Sequence, residues 1–266
     1  MDLQTFFKEN PVAALGFSGG VDSSYLLYAG MHYGAKIKAY YVNAAFQPAF
    51  ELEDAKRLAA ELGADLTVLE TDILSVPHVA ENPSNRCYYC KTAIFSLIKE
   101  TAIKDGYSIL LDGTNASDDS GDRPGMRAIK ELSVRSPLKD CGITKSDVRR
   151  LSKEAGLFTW DKPAYACLAT RVPTGTAITD ELLVRIERAE NALFAMGFTD
   201  FRVRLAGGLT SSMTSGLTGR DAKLQFPAAQ FPAVLERREE IITHLQADFD
   251  TILLDLAGRK AEEALI

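Results

Sequence analysis

Apolar residues follow two different spacings in the first half of the chain. Short consecutive apolar runs alternate with longer segments in which apolar residues recur every three or four positions. The first spacing is typical of buried strands and the second of amphipathic helices. Strands are predicted at residues 12–17, 37–42, 66–70 and 108–112, and helices at residues 22–33, 51–62, 91–104 and 127–132. This alternation predicts the α/β class, a parallel sheet with helices on both faces.

The pattern changes at about residue 176. Helical spacing predicts a helix from Thr179 to Met196 and a second helix over residues 232–247. The predicted strands are residues 201–205, 222–226 and 252–256, and a run rich in Gly, Ser and Thr at 206–219 separates the first two. We therefore expect two domains, one at 1–175 and a smaller C-terminal α+β domain at 176–266. Exposed apolar faces on the second domain suit packing or self-association.

Composition narrows the class of protein. The 266 residues are 46% hydrophobic, enough for one large core or two moderate ones. The net charge of −6 argues against a stable nucleic-acid partner, which usually needs a basic face. No apolar run approaches the ~20 residues that cross a bilayer, and the N-terminus does not resemble a signal peptide. We expect a cytoplasmic protein without a membrane partner, whose four cysteines serve metal or sulfur chemistry rather than disulfides.

A loop between the first predicted strand and helix carries the strongest functional signal. It consists of Ser18, Gly19, Gly20, Val21, Asp22, Ser23 and Ser24. Its two glycines let the backbone approach an anion, and the helix that follows offers unpaired N–H groups. The serine hydroxyls add donors. Asp22 would repel a phosphate unless a divalent cation lies between them, and the lysine of a Walker A loop is missing.

These seven residues resemble the PP-loop of the adenine nucleotide α-hydrolase enzymes, which activate a substrate as an adenylate and release pyrophosphate. The resemblance implies that the loop binds ATP with Mg²⁺. Ligands of parallel sheets lie at the carboxyl ends of the strands, so the loops after the strands should converge. Further ATP contacts are expected from Val42, Gly113, Thr114 and Asn115, and a further Mg²⁺ ligand from Asp118 or Asp119. Ordinary turns also use Gly, Asn and Asp, so a purely structural role for residues 112–119 stays open.

Five further motifs occur in order along the chain. They are residues 85–91 (NRCYYCK), 112–115 (DGTN) continuing to 122–125 (DRPG), 135–138 (RSPL), 160–163 (WDKP) and 166–171 (ACLATR). Together with the loop they resemble the LarE family. The resemblance implies a homo-oligomeric, ATP-dependent sulfur transferase. That family adenylates the carboxylates of pyridinium-3,5-biscarboxylic acid mononucleotide and converts them to thiocarboxylates for the nickel-pincer nucleotide cofactor, which serves lactate racemase. Lys91, Arg123 and Arg171 lie in these motifs and are expected to bind the anionic groups of this small-molecule nucleotide substrate.

Three cysteines lie within the matched motifs. In some family members the cysteine matched by Cys167 gives up its own sulfur and becomes dehydroalanine. In others, cysteines matched by Cys87, Cys90 and Cys167 resemble ligands of a [4Fe-4S] cluster. Three thiolates leave one iron without a protein ligand, which suits a cluster that carries sulfide from a sulfide or persulfide donor protein. The complete set favours the cluster, while a sacrificial Cys167 and a zinc or structural role for the thiols stay open.

Two other functions also fit a PP-loop. Sulfur insertion into tRNA uses the same loop with cluster-forming cysteines, and ATP hydrolysis that depends on tRNA would support it. A nucleotide-sensing scaffold would bind ATP and release no pyrophosphate with any carboxylate. The residues 160–171 and the acidic charge weigh against tRNA.

Overall fold

The computed structural model describes residues 1–118, 124–206 and 220–259. Contacts divide the chain into two compact units. The first comprises Met1–Val76 and Asn85–Ala164, and the second comprises Pro77–Ser84 and the described residues 165–206 and 220–259. The expected separation into domains at 1–175 and 176–266 stays a prediction.

The first unit alternates strands and helices as the apolar spacing predicts. Its strands are β1 (Val12–Gly16), β2 (Lys36–Asn43), β3 (Asp65–Glu70) and β4 (Leu110–Leu111). Its helices are α1 (Leu3–Glu9), α2 (Val21–His32), α3 (Ala49–Leu62), α4 (Arg86–Lys104), α5 (Pro124–Glu131), α6 (Pro137–Asp140) and α7 (Lys145–Glu154). Short 3₁₀ turns lie at Ile73–Ser75 and Phe158–Asp161.

The four strands form one parallel sheet in the order β3-β2-β1-β4. Neighbouring residues of a strand enter different cores because side chains alternate between the faces of a sheet. Leu15 packs in a core with α1, α2, α3 and α7, whereas Ala14 packs in a core with α4 and α5. The predicted fold class, a parallel α/β sheet with helices on both faces and a smaller second sheet, is confirmed. β1 and β4 are neighbours although they are far apart in sequence, so the strand order reverses beside β1, where α/β sheets bind ligands.

Helix α7 begins at a capping box. The Thr144 hydroxyl accepts the N–H of Asp147, and the Asp147 carboxylate accepts the N–H of Thr144. These bonds satisfy two backbone donors at the helix start and fix its first residue, Lys145. Hydrogen bonding from the Thr144 hydroxyl, and then from its backbone N–H, lowers the pKa of Asp147.

The second unit contains a three-stranded sheet. Its strands are β5 (Arg202–Leu205), β6 (Asp221–Gln225) and β7 (Thr251–Leu254), and its helices are α8 (Asp180–Ala195), α9 (Phe231–Glu236) and α10 (Arg238–Leu245). Two 3₁₀ turns lie at Leu168–Arg171 and Ala228–Gln230. β5 and β6 are antiparallel, and β6 and β7 are parallel. The single helix predicted over 232–247 is divided at Arg237, where the backbone departs from helical geometry (φ −97°, ψ 18°).

Among the residues that the structure describes, no helix is both long enough and apolar enough to cross a membrane.

Candidate functional site

The loop after β1 turns into α2 with its backbone donors directed outward from the helix start. The N-cap residue Gly20 provides no capping side chain, so the first-turn N–H groups are not covered by one. The hydroxyls of Ser18 and Ser23 lie 3.2 Å apart, and the Ser23 hydroxyl also donates to the carbonyl of Gly20 (3.2 Å). Ser24 is fully buried under the loop. The loop therefore has the shape and the donors of an anion site.

Two glycines let other backbone segments approach this loop. Gly19 has φ +69°, in the left-handed region that favours glycine. Gly113 follows β4 and lies against the start of α2: a Cβ there would be 2.9 Å from the backbone nitrogen of Ser23. Only glycine fits at that distance. The loop after β4 therefore packs backbone to backbone against the PP-loop helix, as strand ends in one crevice should.

Asp22 joins three segments of the first unit. Its Oδ1 accepts a hydrogen bond from Asn115 Nδ2 (3.1 Å), and its Oδ2 forms an ion pair with Lys145 Nζ (2.6 Å). Asp118 shares one of these partners, because its Oδ2 accepts the backbone N–H of Asn115 (2.8 Å). The carboxylates of Asp22 and Asp118 thus bracket one asparagine. Carboxylate oxygens are ligands that Mg²⁺ prefers, and Mg²⁺ binding by Asp22 and Asp118 stays a prediction.

A second lysine reaches the loop from the motif at 160–163. Lys162 Nζ forms an ion pair with Asp54 of α3 (2.6 Å) and donates to the carbonyl of Gly19 (3.4 Å). Its side chain is only 15% exposed. Lys145 and Lys162 therefore bring two positive charges to this loop from distant parts of the chain, whereas a Walker A loop carries its lysine within itself.

Thr114 and Val42, which are also expected to contact ATP, are both buried. Thr114 donates its hydroxyl to the buried Asp112 (2.6 Å), which also accepts the hydroxyl of Ser136 (2.6 Å). Asp112 thereby fixes the backbone of the loop that follows β4. Val42 is buried near the end of β2. Their contacts with ATP stay predictions.

Cys87, Cys90 and Lys91 share one face at the start of α4. This helix begins at Arg86 rather than at the predicted residue 91, so both cysteines are helical. A Cβ on Gly125 would contact the stem of Lys91 at 3.0 Å and Cys87 Cβ at 3.8 Å, which places both beside α5. Arg86 Nη2 lies 3.8 Å from Cys87 Sγ. Two thiols three residues apart, with nearby cations, fit two ligands of a metal-sulfur group.

Cys167 belongs to the second unit, at the start of the 3₁₀ turn Leu168–Arg171. Its carbonyl accepts the hydroxyl of Thr170 (2.8 Å). Arg171 Nη1 donates to the carbonyl of Ala166 (2.8 Å) and to the Thr170 hydroxyl (2.9 Å), which holds the backbone on both sides of the cysteine. None of the four cysteines forms a disulfide.

A buried ion pair anchors this cysteine turn. Arg171 donates to both carboxylate oxygens of Glu190 on α8 (2.8 and 2.9 Å), and the side chains are 0% and 1% exposed. Tyr165 also donates to Glu190. Burial lowers the pKa of Arg171 but the hydrogen bond and charge of Glu190 raise it, with a net increase. Burial, followed by the charges of Arg171 and Arg259, lowers the pKa of Arg202 to about 10. These contacts give Arg171 a role in holding the turn, and its predicted contact with substrate stays a prediction.

Comparison with known proteins identifies the family. An uncharacterized protein of Synechocystis sp. is 35% identical over 97% of this chain and 93% of its own length. The pyridinium-3,5-bisthiocarboxylic acid mononucleotide synthase of Lactiplantibacillus plantarum is 30% identical over 94% of this chain and 88% of its own length. This chain belongs to the LarE family. An uncharacterized protein of Methanocaldococcus jannaschii is 30% identical over 72% of this chain and 73% of its own length. No protein-family model matches the chain.

Arg123, expected to bind substrate, and Asp119, a candidate Mg²⁺ ligand, lie outside the described residues. Nearly all of the Gly-, Ser- and Thr-rich run at 206–219 does too. Taken separately, neither unit gathers three or more His, Cys, Asp or Glu side chains as metal ligands among its described residues. The [4Fe-4S] cluster of this LarE-family chain stays a prediction.

Sequence reasoning missed three charged residues of the site. The expected site residues include none from helix α7, yet its first residue Lys145 contacts Asp22. Lys162 was part of a LarE motif without a role, and Asp54 was one of several charges on an amphipathic helix. In the sequence, Lys145 is marked only by its position at a helix start, and Lys162 only by its position before Pro163.

Proposed function

We propose that this chain is an ATP-dependent sulfur transferase that acts on pyridinium-3,5-biscarboxylic acid mononucleotide. The observation that carries the proposal lies in the first unit, where Lys145 and Lys162 contact the PP-loop at Asp22 and Gly19. The name of the Lactiplantibacillus relative supports the choice of substrate. The products are a thiocarboxylate, AMP and pyrophosphate.

The first step is adenylation. A substrate carboxylate oxygen attacks the α-phosphorus of ATP, the bond to the β-phosphate oxygen breaks, and pyrophosphate leaves. Backbone N–H groups at the start of α2 bind phosphate oxygens, while Lys145 and Lys162 balance their charge. Mg²⁺, when bound, would neutralise phosphate charge, with Asp22 and Asp118 as its protein ligands. The carboxylate oxygen thereby becomes part of a good leaving group, AMP.

The second step transfers sulfur. A sulfur nucleophile attacks the acyl carbon, and AMP departs with the former carboxylate oxygen. A [4Fe-4S] cluster on Cys87, Cys90 and Cys167 would supply an exchangeable sulfide. Alternatively, the Cys167 thiolate attacks, and loss of its Cα proton breaks its Cβ–S bond, which leaves the sulfur on the substrate and dehydroalanine in the chain. The turn held by Arg171 and Glu190 orients Cys167 in either case.

We propose a cytoplasmic homo-oligomer with no stable nucleic-acid partner, supplied with sulfur by a sulfide or persulfide donor protein when the cluster is present. Anionic groups of the substrate bind Lys91 and Arg123, each located in a LarE motif.

Pyrophosphate release tests the adenylation step. The purified chain is incubated with Mg²⁺·ATP, with and without the mononucleotide, beside an Asp22→Asn variant and an Asp72→Asn control. Asp72 caps the turn Ile73–Ser75 and has no part in the proposed site. We expect substrate-dependent release that falls about 10²-fold or more in Asp22→Asn and is unchanged in Asp72→Asn. Equal release by all three proteins would contradict the proposal.

A further inference from the structure

Arg149 forms two hydrogen bonds to the segment that carries Lys162. Its Nη1 donates to the carbonyl of Trp160 (2.8 Å), and its Nη2 donates to the carbonyl of Lys162 itself (3.0 Å). The planar guanidinium presents these donors in a fixed fork. Because one of the acceptors is the backbone of Lys162, Arg149 fixes the point from which that side chain leaves the chain.

Other contacts hold the same segment without touching the loop. The Arg57 guanidinium lies 4.0 Å from the ring centre of Phe158, and Lys153 Nζ lies 4.5 Å from that of Trp160. Lys162 has φ −56° and ψ 123°, the extended conformation that a following proline imposes. The segment is therefore held on two sides, and Arg149 supplies its polar attachment to α7.

We propose that Arg149 is a positioning residue for Lys162, and that Lys162 binds the phosphates of the nucleotide at the PP-loop. This inference rests on the proposed ATP-dependent function. Lys162 Nζ already lies 3.4 Å from the carbonyl of Gly19, at the turn of the loop. Asp54 balances its charge at 2.6 Å, and a bound phosphate would compete with that carboxylate for the ammonium group. Helix α7 thus serves the site twice, directly through Lys145 and indirectly through Arg149.

Direct binding of Mg²⁺·ATP to the full chain, by titration calorimetry, tests this role. We expect Arg149→Gln to weaken binding about tenfold because two carbonyls lose a charged donor, and Arg149→Lys to weaken it less. Arg150→Gln is the matched control. Arg150 is the next residue of α7, is exposed, and pairs only at the surface with Asp147 and Glu154. Its replacement should leave the dissociation constant unchanged.

A double-mutant cycle separates positioning from general structural damage. In a Lys162→Met background, which itself weakens binding, Arg149→Gln should cause no further loss, because Arg149 acts through Lys162. Additive losses, or an equal loss in Arg150→Gln, would overturn the inference. Binding of Mg²⁺·ATP by the unmodified chain separates the proposed function from the role of Arg149. Its absence would remove the proposed function and this role together, whereas normal binding with additive losses would remove this role alone.

Discussion

The buried pair of Arg171 and Glu190 makes the second unit sensitive to one substitution. Among the described residues, Glu190 is the one carboxylate that pairs with this guanidinium, and the two side chains are 0% and 1% exposed. Glu190→Ala removes that partner. The Glu190 carboxylate also accepts the backbone N–H of Val203 (2.8 Å) and the hydroxyl of Tyr165. The substitution therefore leaves a buried positive charge and two further donors without this acceptor.

The expected loss follows from these contacts. Removing one partner of a buried ion pair costs about 3–5 kcal/mol of unfolding free energy, and the two additional donors favour the upper end of that range. Glu181→Ala is the matched control on the same helix. Glu181 is 85% exposed and pairs with Arg185 one turn away, so its loss should cost less than about 1 kcal/mol.

Urea unfolding followed by circular dichroism measures both variants against the parent. Replacing both Arg171 and Glu190 by leucine should recover part of the loss, since neither position then holds a buried charge that has lost its partner. If Glu190→Ala and Glu181→Ala unfold at the same urea concentration, the reasoning about the buried pair is refuted.

Three further predictions concern the loops and cysteines. Gly113→Ala adds a Cβ 2.9 Å from a backbone nitrogen of α2, so it should weaken ATP binding and lower the free energy of unfolding by about 1–3 kcal/mol. Gly125→Ala is the control and should do neither, because its Cβ meets a flexible lysine stem. Calorimetry measures the binding, and urea unfolding measures the stability. About four irons per chain should be found after purification without oxygen and be lost in Cys87→Ala but not in Cys141→Ala; iron-free parent protein would favour sacrificial sulfur. The pKa of Asp147 is lowered below its ordinary 3.8, so this carboxylate stabilises the fold above that pH, and the effect is lost as pH falls through the lower folded value. The Asp147→Asn variant should therefore lose less stability than the parent protein on acidification, as measured by urea unfolding.

The sheet could be predicted from sequence because its signal is local. Buried runs such as the one at β1 and helical spacing in α2 each specify an element within a few residues, and the predicted strand positions agree with the structure to within two residues at each end. Helix α1 was missed although Asp2 caps it, because seven residues give a weak periodic signal. The start of α4 was placed five residues late, since its first turn is rich in cysteine and tyrosine rather than in periodic apolar residues.

The site was only partly predictable for a physical reason. The PP-loop lies in one continuous stretch, where glycines and hydroxyls indicate an anion. The cations that complete it are brought in by tertiary structure: Lys145 lies 123 positions from Asp22, and Lys162 lies 143 positions from Gly19. A lysine at a helix start or before a proline is usually a solvated charge, so no role was predicted for Lys145 or Lys162. Arg171 has a structural role that its motif did not indicate, because its hydrogen bonds go to Glu190, Ala166 and Thr170. Its contact with substrate stays a prediction.

The central claim is that the chain joins adenylation to sulfur transfer. We would incubate the oxygen-free protein with Mg²⁺·ATP and pyridinium-3,5-biscarboxylic acid mononucleotide, then count pyrophosphate and, by mass spectrometry, carboxylate oxygens replaced by sulfur. The account predicts that both products form, that pyrophosphate release requires the mononucleotide, and that Cys167→Ala blocks only the sulfur product. Binding of ATP without pyrophosphate release from any carboxylate, or release that requires tRNA instead, would contradict it.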